Sequence, residues 1–558
     1  VTVQEATNRP GPAGAGAPGC DPGKIARHFR QILLWPVYLS PLDDEAPIDN
    51  HWDALAASGD GNPWREVDDE FGAPSEFQER HYNEFVTFLP QVQRFLYGQG
   101  LGKQVQKIYG ESPIKVMRRD DVARARVTLR PGHAPVELLI KHIDLYFFYD
   151  IDIALLAFEA YTNDLPIETA NELLFRFGRA YPAYWEADGT GGHCAAKVEW
   201  LSAAGDVLAA SDYENREKYL SFVCRHRAPN IAAHWDYLLR PLVLHHSDDK
   251  GLVRYRQLEY YRLPYMAFLA FDNSHLLTRS DQVRLALGTN PDSPGELPYS
   301  HNYLKDFEDR YCYDRYSDGS ASGHRFMASG HALVTLGDAG DRFFMDADSG
   351  ILGRFRHQHF LLFLIAHFQK AALRMYSDRS VATLSRLDLK SATANRTFRR
   401  ETRAALENFL RFEHRYWFHE ISNHAQTRDL FDMLQKHLNL DALFQEVREE
   451  LQDMGNYLDV EAMRRQNDSM VRLTVVTTFG LIGTVTTGFL GMNLFGWSEQ
   501  PAAWRFAAFM TVFVPTIFLT LYTVMKSSRL SEFLEALADD RLGIGGKAKA
   551  LLAVWFGK

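Results

Sequence analysis

A face of small and oxygen-bearing residues runs through an apolar stretch near the C-terminus. Counted in heptads from Met463, the positions Asn467, Met470, Thr474, Thr477, Leu481, Thr484, Gly488 and Gly491 follow at alternating steps of four and three. That spacing keeps side chains on one seam of a helix. Amide and hydroxyl groups, with backbone bared at glycine, are hard oxygen donors suited to a cation or to the water it carries. Small and hydroxyl-bearing residues also let membrane helices pack closely. Periodicity alone leaves both readings open.

Other clusters are weaker. His193-Cys194 and Cys224-Arg225-His226 would supply imidazole and thiolate to zinc, but separate surface and core positions explain them more simply. Asp346-Ala347-Asp348-Ser349-Gly350 begins like a calcium loop, yet its Gly comes one residue early and its twelfth position is His357 instead of Glu. Asp150 and Asp152, two apart in an apolar strand, read as a polar face, with a regulatory cation site as the sharper alternative. No Gly-rich phosphate loop, GxSxG elbow or HExxH occurs, so nothing points to an enzyme.

The elements that must position the polar face are two apolar runs. Val471 to Leu490 carries one charge, Arg472 at its start, and Phe506 to Met525 carries none. Each is about 30 Å long as a helix, the thickness of a bilayer's hydrocarbon core. They predict a two-helix transmembrane hairpin over 471–525. Arg464, Arg465 and Arg472 precede it and Lys526 and Arg529 follow, so the positive-inside rule puts both termini in the cytoplasm. Pro515 is expected to kink the second span. Upstream, Leu443, Val447, Leu451, Met454 and Leu458 form one stripe of a stalk helix expected from Asp441 to Leu490. The stripe is expected to face symmetry-related copies. Asp441 to Met470 holds eight acids against three bases, which would draw cations to a shared vestibule or simply form a solvated face.

Gly491-Met492-Asn493, just after the first of two C-terminal spans, resembles the CorA family of magnesium and divalent-cation channels. The resemblance implies a homopentamer in the cell (inner) membrane, multi-pass, with the first span lining the pore. Counting back from Asn493, the family's pore-facing positions fall on Asn467, Met470, Leu473, Leu481, Thr484 and Gly488; all but Leu473 lie on the heptad face, and Thr477 joins them from that face. Gly491, Met492 and Asn493 would select the ion, with Asn493 holding it through its hydration shell. No cofactor is implied. The resemblance implies Mg²⁺ as the transported ion, and cytoplasmic divalent ions bound between subunits would favour the closed state. Leu490 departs from the aromatic residue common before the tripeptide, and Glu499 is the sole acid of the outer loop. A zinc or cobalt/nickel transporter of the same superfamily, or a membrane-anchored cytoplasmic sensor, remains as the alternative.

The rest of the chain is ordinary in composition: 46% hydrophobic and 24% charged indicate a largely globular protein. A net charge of -10 argues against a nucleic-acid partner. Four dispersed cysteines fit a reducing cytoplasm. Residues 1–24 read as a flexible tail and 25–350 as a cytoplasmic α/β or α+β domain. Its predicted strands are Ile32–Leu39, Ile114–Met117, Ala125–Leu129, Val136–Ile140, Leu145–Ala157, Ala196–Leu201, Tyr265–Phe271 and His331–Leu336, with helices at Ile167–Phe177 and Asn215–Arg227. Residues 351–470 read as a helical region and stalk, in which the run Phe360 to Ala366 is too short to span a membrane and is expected to be a buried helix. Residues 526–558 read as a cytoplasmic tail, with Ala548 to Phe556 a candidate amphipathic helix.

Overall fold

The computed structural model describes residues 24–41, 50–56, 59, 61–67, 79–98, 113–248, 251, 253–259, 261–290, 297–313, 323–386, 392–491 and 501–525. The chain divides into two units between Leu451 and Gln452.

The first unit is organised on a mixed sheet. Its described strands are β1 Ile25–Pro41, β2 Trp64–Glu66, β3 Ile114–Arg119, β4 Arg124–Thr128, β5 Val136–Phe148, β6 Ile151–Pro166, β7 Lys197–Leu201, β8 Val207–Ala210, β9 Val243–Leu244, β10 Val253–Gln257, β11 Tyr265–Phe271, β12 Cys312–Tyr313, β13 Arg325–Ala328 and β14 Ala332–Asp338. The spatial order is β12-β13-β14-β11-β1-β6-β5-β4-β7-β8, with β3 on β5 carrying β2, and β10 on β1 carrying β9. The β11–β14 and β9–β10 pairs are parallel.

Strand β1 is the spine. One edge pairs with β6 from Ile25 to Tyr38, while the other pairs with β11 from Ala26 to Leu33 and with β10 from Val37 to Pro41. Pro36, which has no N–H to give, falls in the interval where that second edge changes partner. Side chains alternate between the faces: Leu33, Trp35 and Val37 enter one apolar cluster, Ile32 and Leu34 the other. In β11 the same alternation splits Tyr265-Met266-Ala267-Phe268-Leu269-Ala270-Phe271, every residue of which is buried. Both faces are covered, so the strand reads as one continuous apolar run.

Helices Ile167–Arg176 and Ala233–Leu239 contribute to the first cluster. Helices Phe360–Ser385, Ala392–Arg415 and Ala425–Leu438 contribute to the second. Phe360–Ser385 buries Leu362, Phe363, Leu364, Ile365, Ala366 and Phe368 together, the all-round burial its apolar start predicts. The compact unit thus takes in helices that the sequence reading set apart as a helical region. Mixed α/β architecture followed by long C-terminal helices is what composition and periodicity anticipate.

One strand reading needs correction. Leu145–Ala157 is not a single strand: β5 ends at Phe148, Tyr149-Asp150 turns with Asp150 at φ 60, and β6 begins at Ile151. Both strands are buried along most of this hairpin, so apolar residues flank the turn on both sides and only the exposed pair Tyr149-Asp150 marks it. Helix ends were easier to read. Asn215 caps Arg216–His226 by accepting from the Lys218 amide at 3.3 Å, and Arg227 closes it in the left-handed region at φ 56.

Trp235 shows how tightly the first cluster is specified. Fully buried, it lies against Trp35, Trp200, Phe177 and Phe158 at centroid distances of 6.1, 5.5, 5.9 and 6.2 Å. Its Nε1–H donates to the Arg179 carbonyl at 2.8 Å. Trp235→Phe keeps a ring but removes that donor and leaves a small void, so a loss of about 1–3 kcal/mol is expected in the denaturant midpoint of unfolding.

Candidate functional site

The polar face lies on the long helix Leu440–Gly491, whose 52 residues extend about 78 Å. Its first turns belong to the first unit. Leu440, Phe444, Val447 and Leu451 are buried in the second cluster, with Phe444 stacked on Trp417 at 4.3 Å. This corrects the expectation that the whole stripe faces other copies, because Val447 and Leu451 are already buried in the chain's own second cluster. The sequence shows which residues form a stripe but not which neighbour covers it.

Within the second unit, Asn467, Thr474, Thr477, Thr484, Gly488 and Gly491 are exposed, and Met470 and Leu473 are 55% and 63% exposed. Leu481 lies in the helix, but its side chain is outside the described residues, as are Met492 and Asn493. The threonine hydroxyls are oriented by the helix itself. Thr474 Oγ1 donates to the Met470 carbonyl at 2.9 Å, Thr477 Oγ1 to Leu473 at 2.8 Å and Thr484 Oγ1 to Gly480 at 2.7 Å. With the proton directed back along the helix, each oxygen presents lone pairs outward and acts as an acceptor. Thr511 and Thr516 of helix Ala502–Met525 make the same back-bonds, so this geometry is general to helical threonine. Thr478 and Thr487, off the heptad face, make them too, and Thr474, Thr477 and Thr484 are the ones that the heptad brings to one face.

The glycines carry independent information. A Cβ added at Gly480, Gly483, Gly488 or Gly491 would meet nothing within 4 Å among the described residues. Glycine inside a helix is about 1 kcal/mol less favourable than alanine. Among the described residues no neighbour within the protomer accounts for that penalty, whereas close approach of another helix, or backbone oxygens bared to a pore, would.

Among the described residues no helix is long and apolar enough to cross a membrane. The side chains of Val475, Val476, Phe479, Ile482, Phe489 and Leu490 lie outside the description. Those apolar positions carry the reading of a first span, so the membrane hairpin rests on the sequence.

The weaker candidates resolve into local structure. His193 Nδ1 is 2.7 Å from the Tyr261 hydroxyl, and burial pushes the Cys194 thiol up to about 12, far from a metal-binding thiolate. The Asp346 carboxylate accepts from the Asp348 amide at 2.9 Å and the Ser349 hydroxyl at 2.6 Å, which makes a side-chain-capped turn. Asp150 and Asp152 do not share a polar face. Asp150 sits in the hairpin turn beside Arg415 at 3.2 Å and Arg411 at 3.7 Å. Asp152 is bound by Arg379 and lies 2.8 Å from His51 Nε2. Burial pushes the Asp152 carboxyl up, but His51 and Arg379 more than offset it and hold it below the ordinary value. The turn between them separates two carboxylates that the sequence places two residues apart, and each is neutralised by cationic partners.

Sequence reasoning missed a charged cavity in the first unit, lined among others by Arg118, His142, Asp144, Glu159 and Arg356. Its residues come from separate strands and from the helical segment Phe355–His359, and no motif links them.

Residues 375–525 match the family model described as CorA-like Mg2+ transporter protein. The match covers the C-terminal helices and leaves the sheet outside it. No curated protein and no solved structure matches the chain.

Proposed function

We propose, on the match of residues 375–525 to the CorA-like Mg2+ transporter family, that this chain forms a homopentameric channel for divalent cations, Mg²⁺ foremost, in the cell membrane. Helix 471–491 lines the pore, helix 502–525 packs outside it, and both termini are cytoplasmic. The observation that carries the reading is the heptad face of outward-facing acceptors. It runs through helical glycines that no contact among the described residues requires and leads directly to Gly491-Met492-Asn493.

The chemistry suits an ion that gives up water reluctantly. Mg²⁺ is octahedral at about 2.0–2.1 Å and dehydrates poorly, so a pore can more readily bind its hydrated form. A ring of Asn493 amide oxygens accepts hydrogen bonds from first-shell waters without holding the ion by full charge, and binding stays reversible. Thr484 and Thr477 hydroxyl oxygens and the Gly488 backbone offer further acceptors along the path. Met470, Leu473 and Leu481 form apolar constrictions that gate by dewetting, with Asn467 as a polar ring below them.

Isotope or fluorescent-indicator flux into vesicles, across Mg²⁺, Co²⁺, Ni²⁺ and Zn²⁺, tests the reading. Saturable Mg²⁺ entry is expected; a preference for Zn²⁺, Co²⁺ or Ni²⁺ would move the chain to another branch of the superfamily. Absence of flux for every ion would leave the hairpin as a membrane anchor for a cytoplasmic sensor. Leu473→Asn should hydrate the constriction and raise flux under closing conditions severalfold in the same assay, whereas an unchanged closed-state flux would remove Leu473 from the gate.

A further inference from the structure

The cavity of the first unit, about 450 Å³ in volume, is within the range of small-molecule sites. Its acids are already committed. Asp144 is held by Arg118 through Nε at 2.6 Å and Nη2 at 2.8 Å. Glu159 takes Arg30 and, at 3.0 Å, Arg356 Nε. Glu84 accepts from the Tyr97 hydroxyl at 2.7 Å and lies 3.3 Å from His357 Nδ1.

Its donors are not. Among the described residues, Arg118 Nη1, both Nη atoms of Arg356, Lys141 Nζ and the Tyr146 hydroxyl have no protein partner. Two guanidiniums share the single Glu159 carboxylate, and Arg30 and Glu159 are each only 8% exposed. Excess positive charge with low solvation is costly unless an anion offsets it. Lys141 at the same wall adds a second positive charge, and Arg80 on the same lining offsets the charge of Glu84. The segment that supplies Arg356 and His357 is a turn of π-helix, Phe355–His359, a rare geometry concentrated at functional sites.

We propose that this cavity binds a small phosphate-bearing anion, its oxygens taken by Arg118, Arg356, Lys141 and Tyr146. A phosphate monoester has the two charges and the several acceptor oxygens that match two surplus cations and a fan of donors. Burial and the neighbouring Arg118 lower His142 to about 4, so it stands neutral beside the ligand and adds no charge of its own at neutral pH.

The test is calorimetric titration of the full chain in detergent with inorganic phosphate, AMP and succinate at matched ionic strength. Saturable binding of phosphate or AMP is expected, and the tighter of the two identifies whether the site takes the free ion or its ester. Lys141→Met and Tyr146→Phe remove groups with no protein partner, so the fold should persist. Lys141→Met should weaken binding about tenfold and Tyr146→Phe severalfold, while Arg126→Met, at an exposed pair elsewhere, should leave it unchanged. No saturable response to either phosphate probe, tighter binding of succinate, or equal affinity in wild type and Lys141→Met would overturn the proposal.

Discussion

Vesicles containing Asn493→Ala should take up no Mg²⁺ above background while the assembled oligomer keeps its size on gel filtration. The expectation follows from where the substitution acts. One alanine in the chain becomes a full ring of missing carboxamides in a symmetric assembly, so every oxygen that accepts from the ion's hydration shell at the mouth disappears together. Each lost hydrogen bond to a charged group is worth about 1.5–3 kcal/mol, and the ring multiplies it. Asn493→Asp should fail differently: it keeps the acceptors but adds a full charge per subunit, so Mg²⁺ should bind more tightly and pass more slowly. Flux and equilibrium binding measured together separate the two variants. Unaltered uptake in Asn493→Ala would mean that the ion path lies elsewhere.

What could be read from the sequence was what depends on neighbours along the chain. Helix Leu440–Gly491 was legible nearly to its ends because helical steps of three and four recur along it, in one register from Leu443 to Leu458 and in another from Met463 to Gly491, and β11 was legible because a run of aromatic and apolar residues admits few alternatives. The order of the sheet was not. Nothing in Ile25–Pro41 announces that one edge serves β11 and then β10. The hairpin turn at Tyr149-Asp150 was hidden because burial on both sides of it kept the residues apolar. The exposed heptad positions were legible for the same local reason as their helix, and their role in a pore belongs to the proposal. The charged cavity was illegible because Arg118, Asp144, Glu159 and Arg356 meet only after β3, β5, β6 and the π-helical turn assemble. A lone Glu159 in an apolar strand was the available hint: a carboxylate 8% exposed must have a cationic partner.

The second large effect concerns acid stability of the first unit. His234, His359 and His367 are 0, 2 and 0% exposed. Burial lowers His234 and His359 to about 3 and carries His367 well below the ordinary value. All three are therefore neutral in the folded protein, while in the unfolded chain they take up protons near pH 6.5. Because the unfolded state binds more protons, stability is fully present above pH 6.5 and is lost as pH falls from there toward about 3. Each histidine contributes about 1.4 kcal/mol per pH unit across that window, so three together would remove most of a typical domain's margin within two units. Glu159 and Asp152, held low by arginine partners, add to the loss only as pH nears the ordinary carboxylate range. The interval from pH 6.5 to 5 therefore reports chiefly on imidazoles, with His142 and His331, lowered in the same direction by burial, adding to these three. Denaturant titrations followed by tryptophan emission would report on this unit, since Trp35, Trp200 and Trp235 are in its core. The midpoint should fall steeply over that interval, and His359→Gln should reduce the slope by one proton's worth. A midpoint that stays level between pH 7 and 5 would mean that these imidazoles already carry their protons in the folded state, and that the burial argument for them is wrong.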